Sequence, residues 1–225
     1  MKYFYLYIIF LLCFIIAVSF FNTYKNTYRE TFNSTKQSFI LLGDSILKND
    51  TYVSDGRSVN DLLKERTNDK SICLAINDSK IVDIYGQIEK IPENLNTNYT
   101  TIFLSVGGND ILSNFVNNNE TIDDKNLVLK KIFSEYKSLI KSIKTKLPDS
   151  NIVLLDIYYP DNIKYKQYHS IINKWNNMIY NYASKNNYSV LKISGVLTSS
   201  DDFTFDIEPS ASGSRKLVET ILLNY

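Results

Sequence analysis

The chain has little of what metal and redox sites are built from. Its 225 residues include one histidine, His169, and two cysteines, Cys13 and Cys73. Because Cys13 lies in an apolar N-terminal stretch, the two cysteines offer no disulfide framework. With a single histidine, only carboxylates remain as metal ligands. The sequence therefore predicts no metal site and no cofactor.

The chain also lacks a charge bias. Lysine and arginine together number 25, and aspartate and glutamate number 24. No overall field would recruit nucleic acid, so we expect no nucleic-acid partner. With 44% hydrophobic residues, the length suits one full α/β domain and is too short for two large ones.

The N-terminus is a long apolar segment. Tyr3–Phe21 is 19 residues without a charge, and as a helix it rises about 28 Å, close to the hydrocarbon thickness of a bilayer. We expect a transmembrane signal-anchor in residues 1–22 and a polar tether in residues 23–36. A cleavable signal is usually shorter, yet Ala17-Val18-Ser19 resembles a cleavage site, so a secreted form is the alternative. Lysines on both sides leave the orientation in the membrane open.

In residues 37–225, short apolar runs alternate with longer amphipathic ones. The predicted strands are Ser38–Leu42, Ser71–Ile76, Thr101–Val106, Ile152–Ile157 and Ser189–Ile193. The predicted helices are Val59–Arg66, Ser79–Ile91, Lys125–Leu147, Tyr168–Lys185 and Gly213–Leu223. Strict alternation predicts an α/β fold with a five-stranded parallel sheet between two layers of helices.

Three short motifs follow predicted strands or precede the last helix. They are Gly43-Asp44-Ser45, Gly107-Gly108-Asn109-Asp110 and "FDIEPSASG", Phe205 to Gly213. Ligands of parallel sheets bind beyond the carboxyl ends of the strands, where the first two motifs stand. Taken singly, each motif is more typical of a helix cap or a turn.

Taken together, "LLGDSIL", "IFLSVGGNDIL" and "EPSASG" resemble the SGNH/GDSL hydrolase family in order and approximate spacing, over roughly residues 37–224. The resemblance implies a flavodoxin-like α/β/α sandwich and the hydrolysis of lipid or carbohydrate esters. It makes Ser45 the nucleophile, with its N–H at the start of a helix, and Asn109 an oxyanion donor. Gly107 would allow close backbone approach, while Asp44 and Asp110 would support the site.

One departure from the family pattern concerns the oxyanion hole. In "CLAINDSKIVDIYGQI", Asp78 stands where the family has a glycine whose N–H donates to the oxyanion. The N–H survives, but a carboxylate that pointed inward would oppose the developing negative charge. A carboxylate that pointed to solvent would be harmless.

A second departure concerns the general base. The family ends on Asp-x-x-His, whereas here Phe205 holds the Asp place and Glu208 the His place. An unperturbed glutamate titrates near 4.3 and is a weak base, but burial beside Phe205 or repulsion from Asp206 would raise its pKa. His169, about 40 residues upstream, is better explained as a surface or loop residue than as a relocated base.

Two functions follow from these residues. The first is an ester hydrolase in which Glu208 replaces the usual histidine. The alternative is an inactive protein of the same fold that binds glycan or acyl ligands at a membrane. Tyr158-Tyr159, at the end of the fourth strand, either lines the pocket or packs in the core.

Overall fold

The computed structural model of the chain describes residues 11–19, 37–115 and 122–225. Residues 11–19 form a helix, α1, with exposed side chains. The rest of the predicted membrane segment Tyr3–Phe21, and the whole tether 23–36, lie outside the described residues. None of the helices within the described ranges has both the length and the apolar character needed to cross a bilayer.

A five-stranded parallel sheet forms the centre of the domain. Its strands are β1 Ser38–Gly43, β2 Ser71–Cys73, β3 Thr100–Ser105, β4 Asn151–Leu155 and β5 Ser189–Leu191. They pair in the order β2-β1-β3-β4-β5. All six residues of β3 are buried, as expected of a strand covered on both faces. The predicted five-stranded parallel sheet is confirmed.

Helices cover both faces of this sheet. They are α2 Val59–Arg66, α3 Ile84–Glu89, α4 Gly108–Asn114, α5 Ile122–Lys146, α6 His169–Asn186 and α7 Ala211–Asn224. Alternate residues of β1 enter different cores: Ile40 and Leu42 pack with α3, α5 and α6, whereas Phe39 and Leu41 pack with α2 and α7. The predicted three-layer sandwich follows from this alternation.

Several elements differ from the sequence prediction. The predicted helix Ser79–Ile91 is a 3₁₀ turn at Ile81–Asp83 followed by the short α3. Helix α4 was not predicted, because seven residues after two glycines carry too little periodicity. A two-stranded hairpin was also missed: β6 Phe203–Thr204 pairs antiparallel with β7 Glu208–Pro209.

Gly107 makes the connection from β3 to α4 possible. Its φ is +112°, and a Cβ built there would lie 2.3 Å from Cζ2 of Trp175. Trp175 is a fully buried residue of α6. The backbone therefore needs a glycine at this point both for its conformation and for its close approach to the indole.

We expect Gly107→Ala to lower the free energy of unfolding by about 2–5 kcal/mol, from left-handed strain and overpacking together. The matched control is Gly86→Ala, in the exposed part of α3, where an added Cβ meets nothing within 4 Å. That change should stabilise the protein by about 0.5–1 kcal/mol. Urea unfolding measures both, and shifts of the same sign and size would contradict this account of Gly107.

Candidate active site

Ser45 lies in a single turn directly after β1. The N–H groups of Leu47 and Lys48 both donate to the carbonyl of Asp44 at 3.1 Å. The chain then leaves the helical path, because the buried Asn49 side chain accepts a hydrogen bond from the Val59 N–H at 2.9 Å. The prediction of a helix starting at Ser45 is therefore wrong, and no helix dipole acts at its N–H.

Gln87 fixes the end of β1 next to this turn. Its buried amide accepts a hydrogen bond from Gly43 N and donates one to Gly43 O, both at 2.8 Å. The same Nε2 lies 3.2 Å from the hydroxyl of Ser79. Gln87 thus ties the end of β1, just before the turn of Ser45, to the loop that carries Asp78.

Asp78 has the backbone conformation that a glycine at its place would adopt. Its φ is +60°, in the left-handed region that aspartate tolerates better than most residues. The side chain is exposed, and the residue lines the same cleft as Ser45. The aspartate therefore keeps a left-handed backbone here and adds a negative charge to the lining of the cleft.

Asn109 projects from the first turn of α4 into this cleft. One of its amide hydrogens is used by the carbonyl of Ser79, at 3.1 Å from Nδ2. An asparagine amide has two hydrogens, so a second one is available to a ligand. Asn109 therefore has one amide hydrogen to offer in a cleft that Ser45 and Asp78 also line.

Asp110 supports this loop from the side. Its carboxylate accepts the N–H of Ile81 at 3.2 Å and 3.4 Å. Burial raises the pKa of Asp110 to about 6, against the lowering effect of the hydrogen bond from Ile81. The residue orients the turn after Asp78 rather than meeting a ligand.

Glu208, at the start of β7, is brought to Ser45 by the hairpin. The residue is buried and lines the same cleft as Ser45. Its Oε2 has no hydrogen-bond partner among the described residues. Burial raises the pKa of Glu208, the Ser45 hydroxyl opposes this rise, and the charge of Asp78 adds to it.

Phe205 and Asp206 do not raise this pKa in the way the sequence suggested. The Phe205 side chain is exposed at the hairpin tip, and Asp206 is paired with Lys164 and accepts a hydrogen bond from Asn162. The carboxylate that raises the pKa of Glu208 is Asp78 instead.

Asp44 is a third acid at this site. Its carboxylate accepts hydrogen bonds from Ser105 Oγ at 2.9 Å and from the Ile46 N–H at 3.2 Å. Burial raises the pKa of Asp44 to about 7, and the charge of Glu208 adds to the rise. Near neutral pH, Asp44 is therefore close to half protonated.

The described lining of the cleft contains no lysine, arginine or histidine. His169 Nε2 lies 2.8 Å from the carbonyl of Pro160, and its ring packs 5.5 Å from that of Tyr159. The histidine is thus held by backbone at the start of α6. Within the described ranges, there is no group of three or more histidine, cysteine, aspartate or glutamate side chains that could hold a metal ion.

The cleft has a volume of about 210 Å³, and its lining mixes polar and apolar side chains. The polar residues include Ser45, Asp78, Asn109 and Glu208. The apolar lining includes Val106, Ile111, Leu112, Ile157, Tyr165, Tyr168 and Ile172. The volume is below the range of sites for drug-sized ligands, so the cleft suits a small ligand.

Tyr158 both lines the cleft and packs against another aromatic ring, so the two alternatives given for it in the sequence hold together. It lines the cleft, and its ring packs 4.9 Å from that of Phe203. Its hydroxyl donates to the carbonyl of Ile207, which holds the hairpin beside the cleft.

Sequence reasoning missed two buried amides that hold this site together. Besides Gln87, the Asn49 Nδ2 donates to the carbonyl of Pro209 at 2.8 Å and lies 2.6 Å from Ser214 Oγ. Asn49 therefore joins the loop after Ser45 to the strand that carries Glu208. A signal existed for Gln87, because it lies on the apolar face of its helix beside Ile84 and Ile88.

Comparisons with known proteins bear on the family and the fold. Residues 41–216 match the model of the GDSL-like lipase/acylhydrolase family. A search of curated proteins finds no match for the chain. Solved structures of similar fold include the lipolytic G-D-S-L family protein of Veillonella parvula (17% identity, TM-score 0.62, 84% of this chain and 98% of that one). A second is phospholipase A1 of Streptomyces albidoflavus (15% identity, TM-score 0.62, 84% of this chain and 99% of that one). A third is an extracellular lipase of Streptomyces rimosus (13% identity, TM-score 0.63, 84% of this chain and 98% of that one). Because the family model matches most of the length, the chain belongs to the GDSL-like lipase/acylhydrolase family.

Proposed function

We propose that this protein is a serine ester hydrolase in which Glu208 replaces histidine as the general base. The observation that carries the proposal is a buried glutamate with a raised pKa that lines the same cleft as Ser45. A general base must reach the serine proton, and the Ser45 hydroxyl is near enough to Glu208 to affect its pKa.

The proposed reaction uses these groups in two half-reactions. Glu208 takes the hydroxyl proton as Ser45 Oγ attacks the ester carbonyl. The N–H groups of Ser45 and Asp78 and the amide of Asn109 stabilise the oxyanion. Protonated Glu208 then passes the proton to the departing alcohol oxygen. In the second half, Glu208 deprotonates a water that attacks the acyl-serine, and it returns the proton to Ser45 Oγ as the bond to the acyl group breaks and the carboxylic acid leaves.

The acids around Ser45 both help and hinder this reaction. Burial and the nearby Asp78 charge make Glu208 more basic than a free glutamate. The Asp78 charge also opposes the oxyanion, although its exposed position lets water screen it. We therefore expect a slow enzyme, faster than the oxyanion hole alone would make it.

A second candidate is a binding protein of the same fold. Phe205, exposed at the place of the family's aspartate, provides no partner that would orient the base. Such a protein would hold an ester in the same cleft without cleaving it.

We further propose that Tyr3–Phe21 anchors the protein in a membrane as a single-pass segment, with the domain of residues 37–225 on a tether. The support is the run of 19 uncharged residues in the sequence.

Glu208→Gln should lower kcat/KM for a p-nitrophenyl ester by about 100-fold or more, because an amide accepts no proton at neutral pH. Activity of the unchanged protein should fall as pH drops through the pKa of Glu208, which burial places above the ordinary glutamate value of 4.5. Steady-state kinetics from pH 4 to 9 measure both.

The matched control for this test is Glu93→Gln, an exposed acid just before β3 at the other edge of the sheet. Its kinetics should equal those of the unchanged protein. Labelling by a fluorophosphonate probe should depend on Ser45, and Glu208→His should raise the rate if the oxyanion donors are intact. If the probe does not label Ser45 between pH 6 and pH 9, the hydrolase proposal is wrong and the binding-protein proposal remains.

Asp44→Asn should change how stability depends on pH. The folded protein holds the Asp44 proton more tightly than the unfolded chain, with a pKa of about 7 against 3.8. This contribution is fully present below pH 3.8 and is lost as pH rises towards 7, at about 1.4 kcal/mol per tenfold change in proton affinity. Asparagine stays neutral, so relative to the unchanged protein the variant should gain stability between pH 4 and 8.

Urea unfolding at pH 4 and at pH 8 measures this gain in stability. The control is Asp55→Asn at an exposed position, which should differ from the unchanged protein by the same amount at pH 4 and pH 8. If the stability difference between Asp44→Asn and the unchanged protein is also the same at pH 4 and pH 8, the raised pKa of Asp44 is refuted.

Leu12→Arg combined with Ile16→Arg should release the full-length chain from membranes, because each charge at the centre of a span costs about 2.5–3.5 kcal/mol. Alkaline carbonate extraction, followed by blotting of pellet and supernatant, measures the release. A chain that is soluble without the substitutions, and that starts near residue 20, would instead be the secreted form.

A further inference from the structure

The cleft at Ser45 is lined by four acidic side chains. They are Asp44, Asp78, Asp156 and Glu208, and no lysine, arginine or histidine stands among the described residues of the lining. The cleft holds only about 210 Å³, so a ligand inside it lies within the field of all four acids. A negative field in a small cleft favours a ligand that carries a positive charge.

Asp156 contributes to this field from the end of β4. It is buried, and its carboxylate accepts the N–H of Ser194 at 2.9 Å. It also accepts the hydroxyls of Ser194 and Tyr180, each at 2.5 Å. All three donors are uncharged groups, so they do not offset a negative charge at this carboxylate.

Glu208 offers a buried acceptor that its own fold leaves unused. The residue is 8% exposed and lines the cleft, and its Oε2 has no hydrogen-bond partner among the described residues. A buried polar atom without a partner is unfavourable, and native proteins satisfy most of them. A ligand with an N–H donor would supply the missing partner. Because a carboxylate has two oxygens, Glu208 can bind such a donor at one and take the serine proton at the other.

Asp78 brings a second carboxylate to the same place. Its side chain is exposed, and its charge raises the pKa of Glu208 beyond the effect of burial. The two carboxylates therefore repel each other, and a positive group near both would relieve that repulsion. A protonated amine suits this position, because it combines a positive charge with N–H donors.

The same charges decide which esters react well at Ser45. With a neutral ester, the Asp78 charge opposes the negative charge that develops on the carbonyl oxygen. An ester that carries its own ammonium group brings a positive charge close to that oxygen and offsets the opposition. The acids therefore slow the reaction of a neutral ester and favour that of a cationic one.

We propose that the cleft takes a small ester that carries a protonated amine, with the amine bound by Asp78 and Glu208. This inference rests on the proposed function, because it names the substrate class of the same site. The amine stands either on the acyl side, as in an amino-acid ester, or on the alcohol side, as in an amino-alcohol ester. Both share the chemistry that the acids recognise, and the small volume requires an amine within a few bonds of the carbonyl.

Binding to the full-length Ser45→Ala protein tests the proposal without turnover. Glycine methyl ester and methyl propionate have the same shape and differ by an ammonium group in place of a methyl group. A second pair, dimethylaminoethyl acetate and 3-methylbutyl acetate, places the amine on the alcohol side. At pH 7 most of each amine is protonated. In NMR titrations, the charged member of at least one pair should bind about tenfold or more tightly than its neutral partner, and that pair identifies the side.

Substitutions on this background locate the source of the preference. Asp78→Asn and Glu208→Gln should each weaken binding of the charged ester about tenfold, without weakening that of the neutral one. Asparagine tolerates the left-handed conformation of residue 78, so the loop should keep its path. The matched control is Asp55→Asn, an exposed acid outside the lining, which should change neither affinity.

Equal affinities within both pairs would overturn the proposal, as would the absence of detectable binding by all four esters. A preference for the charged member that Asp78→Asn leaves unchanged would also overturn it, because Asp78 would then not bind the amine. A preference that depends on Asp78, together with a Ser45 that no fluorophosphonate labels, would support the amine site and overturn only the hydrolase.

Discussion

Backbone groups at the carboxyl edge of the sheet must find partners that the strands no longer supply, and buried amide side chains supply them. Gln87 pairs with both the N–H and the carbonyl of Gly43. Asn176 does the same for Ile157, at 2.8 Å and 2.7 Å. Asn49 joins the loop after Ser45 to Pro209. An unpaired buried amide or carbonyl costs about 1–3 kcal/mol, so these contacts both stabilise the edge and fix the cleft's geometry.

The same edge concentrates acids without a matching base. Ser45 is close to Asp44, Asp78 and Glu208, while the described residues that line the cleft include no basic side chain. Burial is the largest cause of the raised pKa of both Asp44 and Glu208; the charge of Glu208 adds to the rise at Asp44, and the charge of Asp78 adds to the rise at Glu208. The arrangement makes Glu208 more basic than a free glutamate, and it lowers the stability of the fold above neutral pH. In the family's usual arrangement, a histidine obtains that basicity without crowding negative charge.

The sequence predicted those features that depend on neighbouring residues. Apolar runs located the strands, and the motifs around Ser45 and Asn109 located the edge where the site lies. Features that depend on distant partners were missed. Asn49 bonds to a carbonyl 160 residues away, and nothing near it in the sequence reveals this. The helix expected at Ser45 failed for the same reason, since the Asn49 side chain bonds to Val59 instead of letting the helix continue. The hairpin of Phe203 to Pro209 depends on Tyr158 and Lys164, which belong to other elements.

Phe205 shows how contacts on either side of a turn impose an unfavourable backbone conformation. Its φ is +46°, while the neighbouring Asp206 forms an ion pair with Lys164 and the Tyr158 hydroxyl donates to the carbonyl of Ile207. Such strain persists where the surroundings enforce it. The contacts that impose it also hold the hairpin that carries Glu208, so the position of this glutamate in the cleft depends on partners in other elements.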